Sequence, residues 1–244
     1  AWLALFGGVA PLAEDWPRFR GPNGTGLGVA TNLPAVWQPE DYAFRIRLPG
    51  TGHSSPIIFG DRLFVTTAAQ EHLVVCLNAT TGKSLWERAF PLPQYPTHRN
   101  NSLATASPAA DSARVFVPRI HDSELVLTAL THDGEPAWEF NLGPFETQHG
   151  LGHSPIVADA LVIFADDHDR TGRVLALEAA TGKLKWETPR RSGRADYSTP
   201  CVVPAPSGGF WLLLNANEDG MGAVSLADGC PQWTAPGVLK MRWS

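Results

Sequence analysis

Two landmarks recur in step along the chain, and this repetition constrains the fold more than any single motif. Ser/Thr-Pro occurs at Ser55-Pro56, Ser107-Pro108, Ser154-Pro155 and Thr199-Pro200, spaced 52, 47 and 45 residues apart. A glycine followed four residues later by tryptophan occurs at Gly82 and Trp86, Gly134 and Trp138, Gly182 and Trp186, and Gly229 and Trp233, with glycine spacings of 52, 48 and 47. A fixed period of this size marks an architecture in which each repeat is one supersecondary unit.

The units share an internal grammar. After Ser55-Pro56 come Ile57-Ile58-Phe59, the turn Gly60-Asp61, the run Leu63-Phe64-Val65, a second run from Leu73 to Leu77, the turn Thr80-Thr81-Gly82-Lys83 and finally Ser84-Leu85-Trp86-Glu87. In the third unit Ile156-Val157, Leu161 to Phe164, Val174 to Leu177, Thr181-Gly182-Lys183 and Leu184-Lys185-Trp186 fill the same places. Short β-branched or apolar runs bounded by Gly, Asp, Asn and Thr predict four antiparallel strands per unit. No stretch sustains a capped helical period. The 23 Gly, 21 Pro and 18% charged residues among 244 suit many short strands joined by tight turns.

Four strands in roughly 45 to 50 residues is the size of one propeller blade, and such a sheet covers both faces only when neighbours stack on it radially. A buried Trp removes about 150 to 250 Å² from water, about 4 to 6 kcal/mol gross at roughly 25 cal/mol/Å². One indole per outer strand, at Trp86, Trp138, Trp186 and Trp233, is therefore expected to seal each blade against the next. Gly82, Gly134, Gly182 and Gly229 supply the left-handed backbone of the preceding turns, which is cheap only without Cβ.

The segments Leu-Asn-Ala-Thr-Thr-Gly-Lys-Ser-Leu-Trp at 77–86 and Leu-Glu-Ala-Ala-Thr-Gly-Lys-Leu-Lys-Trp at 177–186 resemble the tryptophan-docking repeat of PQQ-type β-propellers. That family includes quinoprotein alcohol dehydrogenases and the propeller lipoproteins of outer-membrane protein assembly. The leader Asp-Trp-Pro-Arg-Phe-Arg-Gly-Pro-Asn-Gly at 15–24, with Gly52-His53-Ser54-Ser55-Pro56, is similar more narrowly to secreted PQQ-like propellers of planctomycete-type bacteria. The second copy (Thr131-His132-Asp133-Gly134) and the fourth (Ala227-Asp228-Gly229) depart from the family's Asp/Asn-x-x-Thr-Gly turn. The resemblance implies an all-β propeller of about four four-stranded blades plus an orphan strand.

The expected organisation follows. Residues 1–14 read as the remnant of a signal peptide, since residues 1–10 form an apolar run too short to span a bilayer. Residues 15–50 form an extension with a lone outer strand, residues 51–92, 101–143, 151–190 and 195–235 the blades, and 236–244 a truncated end. The orphan strand and the few residues after Trp233 predict an incomplete ring from a longer propeller. A closed four-bladed ring is the competing arrangement.

A formal charge of −5 with no block of consecutive basic residues argues against a nucleic-acid surface. Cys76, Cys201 and Cys230 form no CxxC and no adjacent pair, which leaves neither a zinc site nor a disulfide scaffold signalled. No G-x-S-x-G elbow is present.

In an up-and-down blade the loop entering the first strand and the loop between the second and third strands share one end of the channel, and the Thr-Gly turns occupy the other. The first end gathers His53, His98, Arg119, His149, His153, Asp166, His168 and Asn217 as ligand-face candidates, and with His121 it holds six of the eight His. Three readings remain open for them. Solvated loop residues with turn-forming Asp and Asn are the plainest. A pocket for a protein, peptide or glycan is the second. A metal site drawing on His149, His153, Asp166 and His168 is the third, although no ligand spacing supports it.

In the resembled family the catalytic members carry a vicinal disulfide beside the cofactor, a catalytic Asp, calcium ligands and an aromatic floor. The three separated cysteines cannot supply the first, and the acid and calcium ligands map to no position here. The expectation is therefore an exported, periplasmic or extracellular, non-catalytic binding or assembly scaffold with no cofactor, no metal and no transmembrane span. The alternative is a fragment of a PQQ- and calcium-dependent quinoprotein dehydrogenase that oxidises alcohols or sugars.

Overall fold

The computed structural model describes residues 14–29, 35–95, 98, 101–169, 171–191, 195–216 and 218–237. Among the described residues sixteen strands form four antiparallel sheets of four, each in simple sequence order. The first sheet holds β1 (Ile57–Phe59), β2 (Arg62–Ala68), β3 (Glu71–Asn78) and β4 (Ser84–Pro91). The second holds β5 (Ala109–Ala110), β6 (Arg114–His121), β7 (Glu124–Thr131) and β8 (Pro136–Pro144). The third holds β9 (Ile156–Ala158), β10 (Leu161–Asp167), β11 (Gly172–Glu178) and β12 (Leu184–Arg190). The fourth holds β13 (Cys201–Pro204), β14 (Phe210–Ala216), β15 (Gly220–Ser225) and β16 (Pro231–Ala235).

Alternation along each strand sends successive side chains to opposite faces, and the sheets use both faces as cores. Phe64, Val74 and Cys76 of the first sheet pack on Val115, Val117 and Leu130 of the second. Phe116, Leu127 and Ala129 then meet Val162, Phe164, Leu175 and Leu177 of the third. Ile163, Val174, Ala176 and Trp186 meet Leu212, Leu214 and Val224 of the fourth.

Every outer strand solves the same local problem in the same way. The residue paired with the tryptophan is small: Cys76 faces Trp86, Ala129 faces Trp138, Ala176 faces Trp186 and Ala223 faces Trp233. A register shift falls immediately beside each of these pairs, and such a bulge sharpens local twist and re-aims the neighbouring side chain. The first three indoles then reach the turn of the following sheet. Trp86 Nε1 donates to the His132 carbonyl at 2.8 Å, Trp138 Nε1 to Ala179 at 3.0 Å and Trp186 Nε1 to Leu226 at 3.0 Å.

The glycines lie directly under these rings. A Cβ at Gly134 would fall 2.7 Å from Trp86, one at Gly182 2.6 Å from Trp138 and one at Gly229 2.5 Å from Trp186, all at φ between +71° and +84°. Gly82 stands under Phe44 instead. Residues 42–49 join no ladder, but Phe44 takes the place that a preceding tryptophan fills elsewhere, and Leu48 packs on Val65, Val75 and Leu77. The second turn is one residue shorter than the others: Gly134 N bonds the Thr131 carbonyl, whereas Gly182 N and Gly229 N reach back four residues to Glu178 and Ser225.

The Ser-Pro landmarks knit the inner strands together. Ser55 N donates to Ser107 Oγ at 2.8 Å, and Ser107 N donates to Ser154 Oγ at 3.0 Å. The periodic serines thus carry hydrogen bonds from sheet to sheet.

Candidate functional site

The strand directions place the loops before β1, β5, β9 and β13 at the same end of the arc as the β2–β3, β6–β7, β10–β11 and β14–β15 turns. The candidate residues at this end separate into an exposed set and a buried set.

His53, His98 and His149 are exposed. The rings of His98 and His149 meet edge-on at 5.3 Å, and His53 Nδ1 lies 3.1 Å from Ser102 Oγ. That hydroxyl also accepts from Ala104 N at 3.3 Å and approaches Thr105 Oγ1 at 3.4 Å, so it is held as part of the loop. Asn101 Nδ2 donates to the His149 carbonyl and ties the two loops. Asn217 lies outside the described residues.

His153 is 1% exposed and His168 8%, and both surround Phe145, at 5.9 and 5.6 Å between ring centroids. Tyr95 packs on Phe145 at 6.1 Å and Tyr197 on His153 at 5.3 Å. The Tyr95 hydroxyl donates to the Phe145 carbonyl at 2.8 Å and accepts from Thr147 N at 3.1 Å. His153 Nε2 lies 2.9 Å from the Asp167 carbonyl. Burial pushes the His153 imidazole down to about 4, so it is neutral near pH 7 and contributes shape and hydrogen bonding rather than charge.

The charged groups at this end face one another. Asp166 accepts from Arg173 Nε at 3.0 Å, and that guanidinium also reaches Glu187 at 3.3 Å and the Leu142 carbonyl of the second sheet. Asp167, one residue on and on the other face, accepts from Arg190 Nη1 at 2.6 Å. Burial pushes the Asp167 carboxyl up to about 7 although Arg190 opposes it. Arg191 Nε donates to Asp219 at 2.6 Å.

Arg119 corrects the sequence reading. It is 5% exposed, donates to Thr128 Oγ1 at 2.9 Å and Glu139 Oε1 at 2.5 Å, and lies 4.5 Å from the Phe90 ring centroid of the first sheet. Its place on β6 turns it into the interface between two sheets, so it offers no free guanidinium to the channel end. Asp166, His153 and His168 are likewise interior groups rather than solvated loop ends. Among the described residues no group of three or more His, Cys, Asp or Glu is arranged to hold a metal ion, and His149 stands apart from the buried pair.

Two features escaped the sequence reading. His72, on β3 at the same end, is 4% exposed, with its imidazole pushed down to about 4 by burial and then by Arg119. The second is a hollow of about 270 Å³ between the third and fourth sheets, bordered by Thr188, Arg190, Leu214, Gly220, Gly222 and Thr234. The pairing registers place Gly220 and Gly222 where earlier sheets carry Leu73 and Val75, Val126 and Thr128, or Arg173 and Leu175. Gly222 leaves no side chain toward the third sheet, while a Cβ at Gly220 would fall 2.5 Å from the Ala235 carbonyl of its own sheet. Aligning the repeats on their tryptophans would have revealed the hollow.

Four stacked four-stranded sheets, the first three each sending an indole onto the next turn, define an incomplete β-propeller of PQQ-like repeats. The family described as outer membrane protein assembly factor BamB matches residues 30–241, and the chain belongs to it. The outer membrane protein assembly factor BamB of Yersinia pestis is 24% identical over 187 residues, covering 74% of this chain and 43% of that protein. The chain thus spans less than half the length of this curated relative. BamB from Moraxella catarrhalis superposes with a TM-score of 0.56 at 18% identity over 81% of this chain and 55% of that one. Quinohemoprotein alcohol dehydrogenase ADHIIG from Pseudomonas putida HK5 gives 0.50 at 18% identity over 79% and 35%. These structural likenesses establish the fold alone.

Proposed function

We propose that the protein is an exported, non-catalytic propeller scaffold that binds a protein, peptide or glycan at the end of the arc carrying His53, His98 and His149. The observation that carries this reading is the pairing of charges at that end. Asp166 with Arg173, Asp167 with Arg190, Arg191 with Asp219 and Arg119 with Glu139 form ion pairs there. What faces outward is a mixture of imidazole and aromatic surface, Tyr197 being 37% exposed, with carboxylates at Asp122, Glu146 and Glu218. The imidazole and aromatic groups combine apolar contact with single hydrogen bonds and suit a peptide or sugar surface. Membership in a family described by outer-membrane protein assembly supports a protein partner and an exported location. The indoles over Gly134, Gly182 and Gly229 act in this reading as docking contacts that keep the binding end rigid.

Quinoprotein dehydrogenases share the fold, and the test is whether the donors here suit PQQ and calcium. Cys76, Cys201 and Cys230 are separate free thiols, and no described carboxylates converge with a third ligand. Neither observation favours that cofactor pair, and no step is assigned to it.

The decisive experiment incubates the full-length protein with PQQ and Ca²⁺ and assays dye reduction with alcohols and sugars, in parallel with peptide and glycan binding. The scaffold reading expects no turnover, and binding that weakens in His53→Ala and His149→Ala at unchanged melting temperature. Cofactor-dependent turnover overturns it.

A further inference from the structure

Residues 15–24 precede every sheet, yet they lie against the innermost strands of three of them. Trp16 pairs with Ile58 of β1 through two backbone bonds of 2.8 and 2.9 Å. Asp15 Oδ1 accepts from Gly60 N at 2.7 Å. The Pro17 carbonyl accepts from Ala110 N of β5 at 2.8 Å. Arg18, 4% exposed, donates from Nη2 to the Pro200 carbonyl at 2.6 Å. Asn23 bonds Val202 of β13 in both directions, Nδ2 to the carbonyl at 2.6 Å and Oδ1 from the amide at 2.8 Å.

Every one of these bonds uses a backbone group of an inner strand or of the residue next to it. An inner strand presents an unpaired edge to the channel, and an extended segment that satisfies such an edge is the chemistry of strand addition. The segment is also folded on itself. The Trp16 ring fills the space beside Gly21, whose Cβ would lie 2.5 Å from it, and Gly21 N and Gly24 N close turns on the Arg18 and Gly21 carbonyls. A peptide shaped in advance loses less conformational freedom on docking.

We propose that the hub groove formed by β1, β5 and β13 is a peptide-binding site whose occupant is this chain's own leader, residues 15–24. The leader enters from the end marked by Gly60, opposite the imidazole face, and ties the first sheet to the fourth across the inside of the arc. The inference is independent of the ligand proposed for the other end. Arg18 supplies the buried anchor, and Asn23 reads one backbone residue of β13 as a neighbouring strand would.

The test uses the full chain with a site-specific protease sequence inserted between Leu27, which is 74% exposed, and Gly28. After cleavage the leader is expected to co-elute with the body and to exchange with a labelled synthetic peptide spanning residues 14–26. A peptide with Arg18→Ala and Asn23→Ala should bind at least tenfold more weakly, about 1.4 kcal/mol. If cutting causes aggregation that excess native peptide prevents and the substituted peptide does not, the groove is confirmed by rescue. Immediate loss of the leader with no recapture of peptide by a body of unchanged circular dichroism overturns the proposal, as does aggregation that native peptide fails to prevent.

Discussion

The Trp86 indole stands over Gly134 of the following sheet and donates its Nε1–H to the carbonyl of His132, 2.8 Å away in the same turn. Arg88, two residues along β4, sends Nε and Nη2 to the Gly134 carbonyl at 2.9 and 2.6 Å. At the third junction Thr188 Oγ1 reaches the Gly229 carbonyl in the same relation at 2.6 Å. One turn thus receives an apolar ring and two polar contacts from its neighbour, and hydrophobic area is gained without leaving its carbonyls unsatisfied.

Trp186 is 8% exposed, so Trp186→Ala should lower stability by about 3 to 5 kcal/mol. Trp186→Phe keeps much of the ring area and loses the bond to Leu226, at a cost of about 1 kcal/mol beyond the lost area. Denaturant midpoints of the two variants check the order; equal losses would mean that ring burial contributes little.

Arg119 joins Phe90 of the first sheet to Thr128 and Glu139 of the second. Arg119→Met retains the apolar stem but removes the ring stacking and the charged hydrogen bonds, and should cost about 2 to 3 kcal/mol. Burial opposes ionisation of Glu139, but the Arg119 guanidinium beside it holds its carboxyl below the usual range. In the variant the Glu139 titration, followed by NMR, should move upward.

Acid sensitivity has opposed contributions. His72 and His153 are each pushed down to about 4, so between about pH 4 and 6.5 the unfolded chain binds more protons than the native one, and stability falls as pH drops. Asp167, pushed up to about 7, acts in the other direction: the native state holds its proton longer, and stability falls as pH rises from about 4 to 7. Burial also raises the Asp166 and Asp196 carboxyls, so the histidine share is read from a single substitution rather than from the net slope. His72→Leu should flatten that limb by at most about 3 kcal/mol between pH 6.5 and 4, measured by urea unfolding at each pH.

The sheets were legible in the sequence because their signals are local. Apolar runs such as Leu73 to Leu77, the Gly60-Asp61 turn and the glycine before each tryptophan report strand, turn and outer edge within a few residues; β1 matches its run and β2 to β4 extend theirs at the ends. The candidate site was legible only as an end of the arc. Whether Arg119 faces solvent or Phe90, and which arginine meets Asp166 or Asp167, depends on register and on which face of a strand lies inward, because a shift of one residue exchanges the two faces. His72 gave no signal because a lone histidine in a strand reads the same on either face. The leader was hidden for another reason: Trp16 and Pro17 are recognised through backbone atoms, which no side-chain pattern records.

The claim that the second, third and fourth sheets are each seated by an indole over glycine is tested most directly by comparing two alanine substitutions. Gly60 and Gly134 both have positive φ, +58° and +84°, but a Cβ at Gly60 meets nothing within 4 Å whereas one at Gly134 falls 2.7 Å from the Trp86 ring. Gly60→Ala should cost only the backbone term of about 1 to 2 kcal/mol, and Gly134→Ala should exceed it by about 1 to 3 kcal/mol of overpacking in equilibrium unfolding. Equal losses at the two positions would contradict the account.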